Sequence, residues 1–165
     1  MISFLVRSTV NAKSLSRIDR EINKYPPDQK QSAVMAALAI AQEELGWLPS
    51  EAIEFVANYL GMAPMAAYEV ASFYNMYDLK PVGKYKLTVC TNLPCMLSGG
   101  VDAGEYLKHK LGIGFNETTP DGRITLKEGE CMGACGDAPV MLVNNRRMCS
   151  RMEPEKIDKL LAELE

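Results

Sequence analysis

Several features that would place this 165-residue sequence in a common functional class are missing. Its longest apolar run, residues 33–41, is shorter than the roughly 18 residues that a bilayer requires, so we expect no direct membrane insertion. Basic residues are not in excess either, because 18 Lys and Arg against 21 Asp and Glu give a formal net charge of −3. Nucleic acid binding, which depends on a basic surface, is therefore not expected.

Glycine-rich motifs for nucleotides are also missing. The glycines at positions 99, 100 and 104 do not have the G-x-G-x-x-G spacing, and those at 112 and 114 lack a third glycine. A P-loop is absent as well. Nothing in the sequence therefore indicates that this chain itself binds NAD or a flavin.

The N-terminus has no secretory signal. The first 18 residues contain basic residues and serines but no acids, which gives a weak similarity to a mitochondrial transit peptide. Helical patterning begins so early that we interpret them as an ordinary basic N-terminus. The five cysteines cannot all pair within one chain because their number is odd. In the reducing compartment expected for a protein without an export signal, clustered cysteines are more often metal ligands or catalytic thiols than disulfides.

The pattern of apolar residues changes near residue 80 and predicts two domains, 1–80 and 81–165. Before residue 80 every strong signal is helical, with helices predicted over residues 16–24, 30–45, 51–60 and 64–73. Gly46 and Gly61 stand at C-cap positions, and Pro64 stands at the first position of a helix. We therefore predict that domain 1–80 is a small helical bundle.

Strand and helix signals alternate in domain 81–165. Runs rich in β-formers predict strands at 85–90, 123–126 and 140–143, and Asn144-Asn145 predicts a turn into a hairpin strand at 146–149. Helices are predicted over residues 99–111 and 154–164. The order β-α-β-β-α fits a small sheet with helices packed on it. The predicted fold class is thus α/β (α+β), with a helical bundle preceding the sheet domain.

Four of the five cysteines form two pairs, each just after a predicted strand. Cys90 and Cys95 are separated by four residues, 35 residues follow, and Cys131 and Cys135 are separated by three. Loops at strand ends can bring distant segments together on a rigid scaffold. Four thiolates are the ligand set of a [2Fe–2S] cluster. The spacing favours two ligands from each loop, with one loop per iron, and differs from the plant-type pattern, which has three cysteines in one loop.

Other cysteine chemistries fit the same spacing less well. A structural zinc site also takes four cysteines, but usually as C-x2-C knuckles with a shorter gap. A dithiol redox enzyme requires C-x-x-C, which neither pair has. A Rieske centre requires two histidines, and the chain has only His109, which we interpret as a surface residue between two lysines. Cys149 stands apart in the predicted hairpin and is interpreted as a small packed residue.

The residues around the four cysteines suit a negatively charged cluster. Gly133 and Gly136 would allow the second loop to turn backbone N–H groups towards sulfur. Gly99-Gly100 would begin a helix whose positive end points at the cluster. A four-thiolate [2Fe–2S] centre carries about −2 when oxidised and about −3 when reduced. Donated hydrogen bonds therefore stabilise the reduced form more and raise the reduction potential.

The chain resembles the thioredoxin-like [2Fe–2S] ferredoxin family, and within it the 24 kDa-type subunits (E-type in bacterial naming) of NADH:quinone oxidoreductase, respiratory complex I. The resemblance extends from about residue 15 to the end. It rests on Gly46-Trp47-Leu48-Pro49, Ala71-Ser72-Phe73-Tyr74, Gly83-Lys84-Tyr85, Cys90-x4-Cys95, Asp121-Gly122-Arg123, Glu130-Cys131-Met132-Gly133-Ala134-Cys135 and Ala138-Pro139. One departure is Met132, which stands where the family commonly has Leu.

The resemblance implies a helical bundle followed by a thioredoxin-like [2Fe–2S] domain, with the cluster bound by Cys90, Cys95, Cys131 and Cys135. It implies an NADH-binding flavoprotein partner that holds FMN, the NAD site and a [4Fe–4S] centre, together with further peripheral-arm subunits of complex I. The cluster of this chain would exchange one electron with that FMN, away from the main path to quinone. The expected location is the cytoplasmic side of a bacterial inner membrane, held peripherally through the complex, rather than the mitochondrial matrix.

Two related functions and one packing question stay open at this point. The same type of module occurs as a diaphorase component of NAD-linked hydrogenases and formate dehydrogenases, and a free-standing thioredoxin-like ferredoxin is a further alternative. The long helical half argues against the free-standing carrier, which has no need of it. The aromatic stretch from Phe73 to Tyr77 is expected to pack against the second domain or against the flavoprotein.

Overall fold

The computed structural model describes residues 10–164. The first half of the basic N-terminal segment, residues 1–9, lies outside the described residues. The chain divides into two compact units, with the boundary between Pro81 and Val82. Within residues 10–164, no helix is both long and apolar enough to cross a membrane.

Between residues 10 and 81 the first unit contains four α-helices, and a short 3-10 segment at Lys30–Ala33 precedes the second. The helices are α1 (Ala12–Ile22), α2 (Val34–Leu45), α3 (Ser50–Leu60) and α4 (Pro64–Phe73). Gly46 and Gly61 end α2 and α3 with φ of 81° and 70°, the left-handed conformation that glycine adopts without strain. The helix boundaries predicted from these glycines and from Pro64 therefore agree with the structure.

Two predicted helix starts in the first unit differ from the observed ones by four residues. Helix α1 begins at Ala12 rather than at residue 16, because the side chain of Asn11 caps it by accepting a hydrogen bond from the Ser14 amide at 2.9 Å. The segment 30–33 was expected to be α-helical but forms a 3-10 turn. Both differences concern helix ends, where local hydrogen bonds outweigh the apolar period.

The core of the first unit lies between its helices. Ile18 from α1, Leu38 from α2 and Val56 from α3 are among its fully buried side chains. Tyr77 also packs in this core, and its hydroxyl donates a hydrogen bond of 2.8 Å to the carbonyl of Met35. Tyr77 therefore packs within its own unit, unlike the expectation for the aromatic stretch, whereas Phe73, the last residue of α4, is 80% exposed.

The second unit is a five-stranded mixed sheet with three helices. Its elements are β1 (Tyr85–Cys90), α5 (Leu93–Leu97), α6 (Gly100–Leu111), β2 (Glu117–Thr118), β3 (Ile124–Gly129), β4 (Met141–Val143), β5 (Arg147–Cys149) and α7 (Pro154–Glu163), with a 3-10 turn at Cys135–Asp137. The strand order is β2-β3-β1-β4-β5. Strands β1 and β3 are parallel, and the other neighbours are antiparallel.

The hairpin predicted at Asn144-Asn145 is present. Both residues have positive φ, 51° and 58°, and together with Arg146 they connect β4 to β5. Asparagine tolerates this conformation better than most residues. The structure also contains α5 and β2, which were not predicted from the sequence. Leu87, Leu126 and Ile157 are fully buried in the core of this unit.

Candidate metal centre

The two cysteine-bearing segments leave the sheet at the same edge. Strand β1 ends at Cys90 and its parallel neighbour β3 ends at Gly129, and these two residues are opposite each other in the register. Beyond them, the Thr91 amide donates to the Gly129 carbonyl at 3.1 Å. The Cys90 thiol donates to the Glu130 carbonyl at 2.8 Å, directly before Cys131. The sheet therefore brings together the segments that hold the first and second cysteine pairs.

Cys95 is placed by the short helix α5, which the sequence analysis did not predict. Pro94 lies in the first turn of this helix, where its missing N–H costs nothing, and Cys95 follows with only 1% of its surface exposed. Cys90, Cys95 and Val140 form a small buried cluster, with Met132, Ala134 and Ala138 packed around it. One cysteine pair is therefore enclosed by apolar side chains from the segment between β3 and β4.

Gly100 allows the first pair to approach the helix that follows. A Cβ atom at this position would lie 2.6 Å from the Cys90 carbonyl oxygen and 2.8 Å from that of Cys95. Only glycine fits at such a distance from two backbone oxygens. Helix α6 begins here, so its N-terminal end lies beside the backbone of both cysteines. The sequence predicts that the positive end of this helix points at the cluster, but it does not show the close packing at Gly100.

Cys131 and Cys135 are exposed and lie on the loop after β3. Gly133 adopts φ of 70°, and its amide donates to the Cys131 sulfur at 3.4 Å. This is the inward-turned N–H group that the sequence predicted for Gly133. Gly136 does not need glycine's conformational range, since its φ is not positive and a Cβ there would meet no atom within 4 Å.

The structure separates the four predicted ligands from the fifth cysteine. Burial is the main reason that the pKa of the Cys95 thiol is raised, and the neighbouring Cys90 thiol raises it further. Cys149 instead lies on β5 opposite Met141, in the hydrophobic core of the sheet, where burial raises the pKa of its thiol. His109 is exposed on α6. Both residues have the positions that the sequence analysis expected.

Four cysteine thiols on two loops are the donor set that a two-iron cluster requires. A structural zinc site needs four ligands around one ion. A [2Fe–2S] cluster needs only two cysteines at each iron, with sulfides completing the coordination. Two cysteine pairs on neighbouring loops meet this requirement, so the residues present fit the cluster.

Acidic side chains hold the first cysteine loop in place. The carboxylate of Glu128 accepts a hydrogen bond from the Thr91 hydroxyl at 2.8 Å, and that of Glu130 accepts one from the side-chain amide of Asn92 at 3.4 Å. Both acids are exposed and come from the end of β3 and the residue after it. These contacts were not predicted, because they join residues nearly 40 positions apart and depend on the pairing of β1 with β3.

Comparisons with known proteins agree with this geometry. Residues 18–165 match the family model of the thioredoxin-like [2Fe–2S] ferredoxins. The chain is 48% identical to the NADH-quinone oxidoreductase E subunit of Rickettsia felis over 156 residues, 94% of this chain and 93% of that protein. It is 40% identical to NADH-quinone oxidoreductase subunit 2 of Thermus thermophilus over 147 residues, 89% of this chain and 81% of that protein.

A solved structure shows a similar fold inside a longer chain. The crystal structure of an NAD+-reducing [NiFe]-hydrogenase in the air-oxidized state matches with a TM-score of 0.69 at 22% sequence identity. The match covers 85% of this chain and 24% of that chain. At this level of identity the likeness concerns the fold, and it includes most of the helical unit as well as the sheet.

Proposed function

Because the chain belongs to the family of thioredoxin-like [2Fe–2S] ferredoxins, we propose that it is the one-electron carrier subunit of an NADH:quinone oxidoreductase. Family membership confirms the predicted fold class, a helical bundle followed by a thioredoxin-like domain, and the predicted [2Fe–2S] cofactor. The observation that carries the proposal is the meeting of two cysteine-bearing segments at one edge of the sheet.

We assign the four ligands to Cys90, Cys95, Cys131 and Cys135. Three observations support this set: the contact of the Cys90 thiol with the Glu130 carbonyl, the burial of Cys90 and Cys95 in one apolar cluster, and the Gly133 amide directed at the Cys131 sulfur. When bound, a [2Fe–2S] cluster accepts and returns a single electron. Because thiols must lose their protons to bind iron, the raised pKa of Cys95 means that binding releases a proton held in the iron-free protein.

The residues around the proposed cluster exclude water from it and influence its reduction potential. The apolar side chains of Val140 and Met132 exclude water from the buried pair, while the second pair is exposed. The Gly133 amide donates towards sulfur, which favours added negative charge and raises the reduction potential. The carboxylates of Glu128 and Glu130 beside the first loop oppose added negative charge and lower it. The potential follows from this balance.

The partner in this proposal is an NADH-binding flavoprotein subunit that holds FMN, the NAD site and a [4Fe–4S] centre, within the peripheral arm of the enzyme. A chain with one cluster and no nucleotide motif must receive its electron from another protein. The relatives at 48% and 40% identity are named as subunits of NADH-quinone oxidoreductase. We therefore prefer this parent enzyme to a hydrogenase or formate dehydrogenase, and we place the chain peripherally at the cytoplasmic side of a bacterial inner membrane.

The proposal is tested by metal analysis of anaerobically purified protein. We expect two irons and two labile sulfides per chain, no stoichiometric zinc, and a low-temperature S = 1/2 EPR signal after dithionite reduction. The Cys95→Ser variant should lose or alter this signal. The matched Cys149→Ser variant, which changes another buried cysteine, should keep it.

Two results would contradict the proposal. One zinc per chain without sulfide would leave the fold intact but remove the electron-transfer role. A Cys149→Ser variant that loses the signal as completely as Cys95→Ser would show that the ligand set is wrong.

A further inference from the structure

The two segments that carry the cysteines contain no basic residue. Residues 87–102 and 128–145 include no Lys, Arg or His, although Lys and Arg number 18 in the whole chain. Their charged residues are Asp102, Glu128, Glu130 and Asp137, all exposed and all acidic. Arg151 approaches this set, at 3.9 Å from Asp137. The two segments therefore carry only acidic charge, with Lys127 directly before the second segment and Arg151 offsetting Asp137.

Large apolar side chains lie exposed among these acids. Leu93, Met96 and Leu97 are 60%, 44% and 77% exposed on α5, the helix whose buried position belongs to Cys95. Positions i, i+3 and i+4 share one helix face, so these three side chains form one apolar surface. Val101 adds a further exposed side chain in the first turn of α6. We call these four residues the α5 face.

The acids are placed around the α5 face by contacts of the structure. Glu128 and Glu130 hold Thr91 and Asn92, the two residues that precede Leu93. Asp102 follows Val101 directly. Exposed apolar patches with polar rims mark interaction sites, and interface centres contain few charges and many methionines. The α5 face has this composition.

We propose that the α5 face is the surface on which the flavoprotein partner docks, and that the partner presents an apolar patch with Lys and Arg at its rim. This inference rests on the proposed function, because it names the surface that serves the same site. The helix that buries the ligand Cys95 also carries the α5 face, so a protein covering it lies directly beside the site. Partner cations would offset the acids here and the negative charge that reduction adds.

Glu128, Glu130 and Asp102 form an acidic rim around the α5 face, and this charge disfavours other occupants. A second copy of this chain would bring the same acids together across the interface, and like charges there are unfavourable. An anionic lipid surface attracts basic segments and would be repelled by this rim. A cationic rim on a protein partner is complementary and speeds association at low salt. The occupant that fits is a basic-rimmed protein.

The test uses the full-length, cluster-loaded chain and the flavoprotein subunit of the same organism. Met96→Asp, Leu97→Asp and Val101→Asp each place a charge in the α5 face, and Met148→Asp is the matched control, because Met148 is 40% exposed on β5. Val101→Asp is the variant least expected to disturb folding, because an acid in the first turn of a helix is favourable. Iron, sulfide and the EPR signal are measured on every variant before its affinity for the flavoprotein.

We expect the α5 face variants to keep the cluster but to bind the flavoprotein at least about tenfold more weakly, while Met148→Asp binds like wild type. Association of the wild type should slow as salt rises. The inference would be overturned if a cluster-loaded Val101→Asp variant bound the flavoprotein with wild-type affinity, or if Met148→Asp lost as much affinity as the α5 face variants. Self-association of the wild type through the α5 face would overturn it as well. If the proposed function itself is wrong, the result is different, because the wild-type chain then contains no iron and sulfide.

Discussion

Gly100 has the most restricted position among the residues around the proposed cluster. Its missing side chain leaves room for two backbone carbonyls, those of Cys90 and Cys95, so one glycine positions both members of the first pair. Gly133 has a different role, since it requires a left-handed backbone and not space. The sequence shows both as glycines in a cysteine-rich context. It does not show which constraint applies to which residue, because the atoms near Gly100 come from other turns of the chain.

We predict that the Gly100→Ala variant holds less of the [2Fe–2S] cluster and is less stable than the wild type. In an unconstrained helix, alanine is favoured over glycine by about 1 kcal/mol, which would stabilise the variant. Here the new Cβ would meet two backbone oxygens at 2.6 and 2.8 Å, and backbone cannot yield as a flexible side chain does, so the clash should prevail. Iron content, EPR and the thermal midpoint measure the effect.

Gly136→Ala is the control for this prediction. It lies in the same site, its φ is not positive, and its Cβ would meet no atom within 4 Å, so it should behave as wild type. A Gly100→Ala protein with wild-type iron content and thermal midpoint would contradict the steric argument.

Single elements differ in how they are held. Strand β1 lies between β3 and β4, whereas helix α2 is held in part by a side chain from beyond α4. The Tyr77 hydroxyl donates to the Met35 carbonyl in the first turn of α2, where the ring is almost fully buried. Burial is the main reason that the pKa of Tyr77 is raised to about 12. This contact connects the segment after the last helix of the first unit to the second helix.

We predict that Tyr77→Phe destabilises the first unit by about 1 kcal/mol at pH 8, because a buried hydrogen bond is lost. The pH dependence of the free energy of unfolding should also differ between this variant and the wild type. Below pH of about 10 Tyr77 is neutral in both states, whereas between about 10 and 12 it ionises only in the unfolded state. The wild type therefore loses free energy of unfolding over this range, and Tyr77→Phe should lose less.

Urea unfolding followed by the fluorescence of Trp47, the single tryptophan, reports on the first unit at pH 8 and at pH 11. Tyr25→Phe, which changes an exposed tyrosine, should match the wild type at pH 8. Equal losses from pH 8 to pH 11 in the wild type and in Tyr77→Phe would contradict the assignment.

At the scale of the whole molecule, each unit has its own core. The residues of the first core lie between Val10 and Leu79, and those of the second between Tyr85 and Leu164. All four proposed ligands belong to the second unit. A domain boundary close to residue 80 was expected from the change in apolar pattern, and it stays a prediction that requires an experiment.

We predict that residues 82–165 expressed alone fold and take up two irons, because the contacts found at the four cysteines join residues of this segment. Circular dichroism, iron and sulfide analysis and EPR measure this. The same fragment with Cys95→Ser is the control for non-specific iron. A fragment without sheet signal, or one that binds no iron, would show that the first unit is required for folding or for the site.

The sequence by itself determined the features that depend on near neighbours. Glycine caps and the proline start specified the ends of α2 and α3 and the start of α4, and the asparagine pair specified the hairpin. Cysteine spacing set four proposed ligands apart from Cys149, an assignment that stays a prediction. These signals act over a few residues, where steric and hydrogen-bonding rules are strong. Helix α5 and strand β2 were missed because five and two residues are too few for a period to appear.

Only the tertiary structure decided what surrounds the four cysteines. The parallel pairing of β1 with β3 places Glu128 and Glu130 beside the loop after Cys90, buries Cys95 under Val140, and leaves Leu93 and Leu97 exposed among acids. Composition cannot distinguish a buried leucine from one in a docking surface, because both are apolar residues in a short helix. The difference depends on which distant segment covers each side, and that is determined by the register of strands about 40 residues apart.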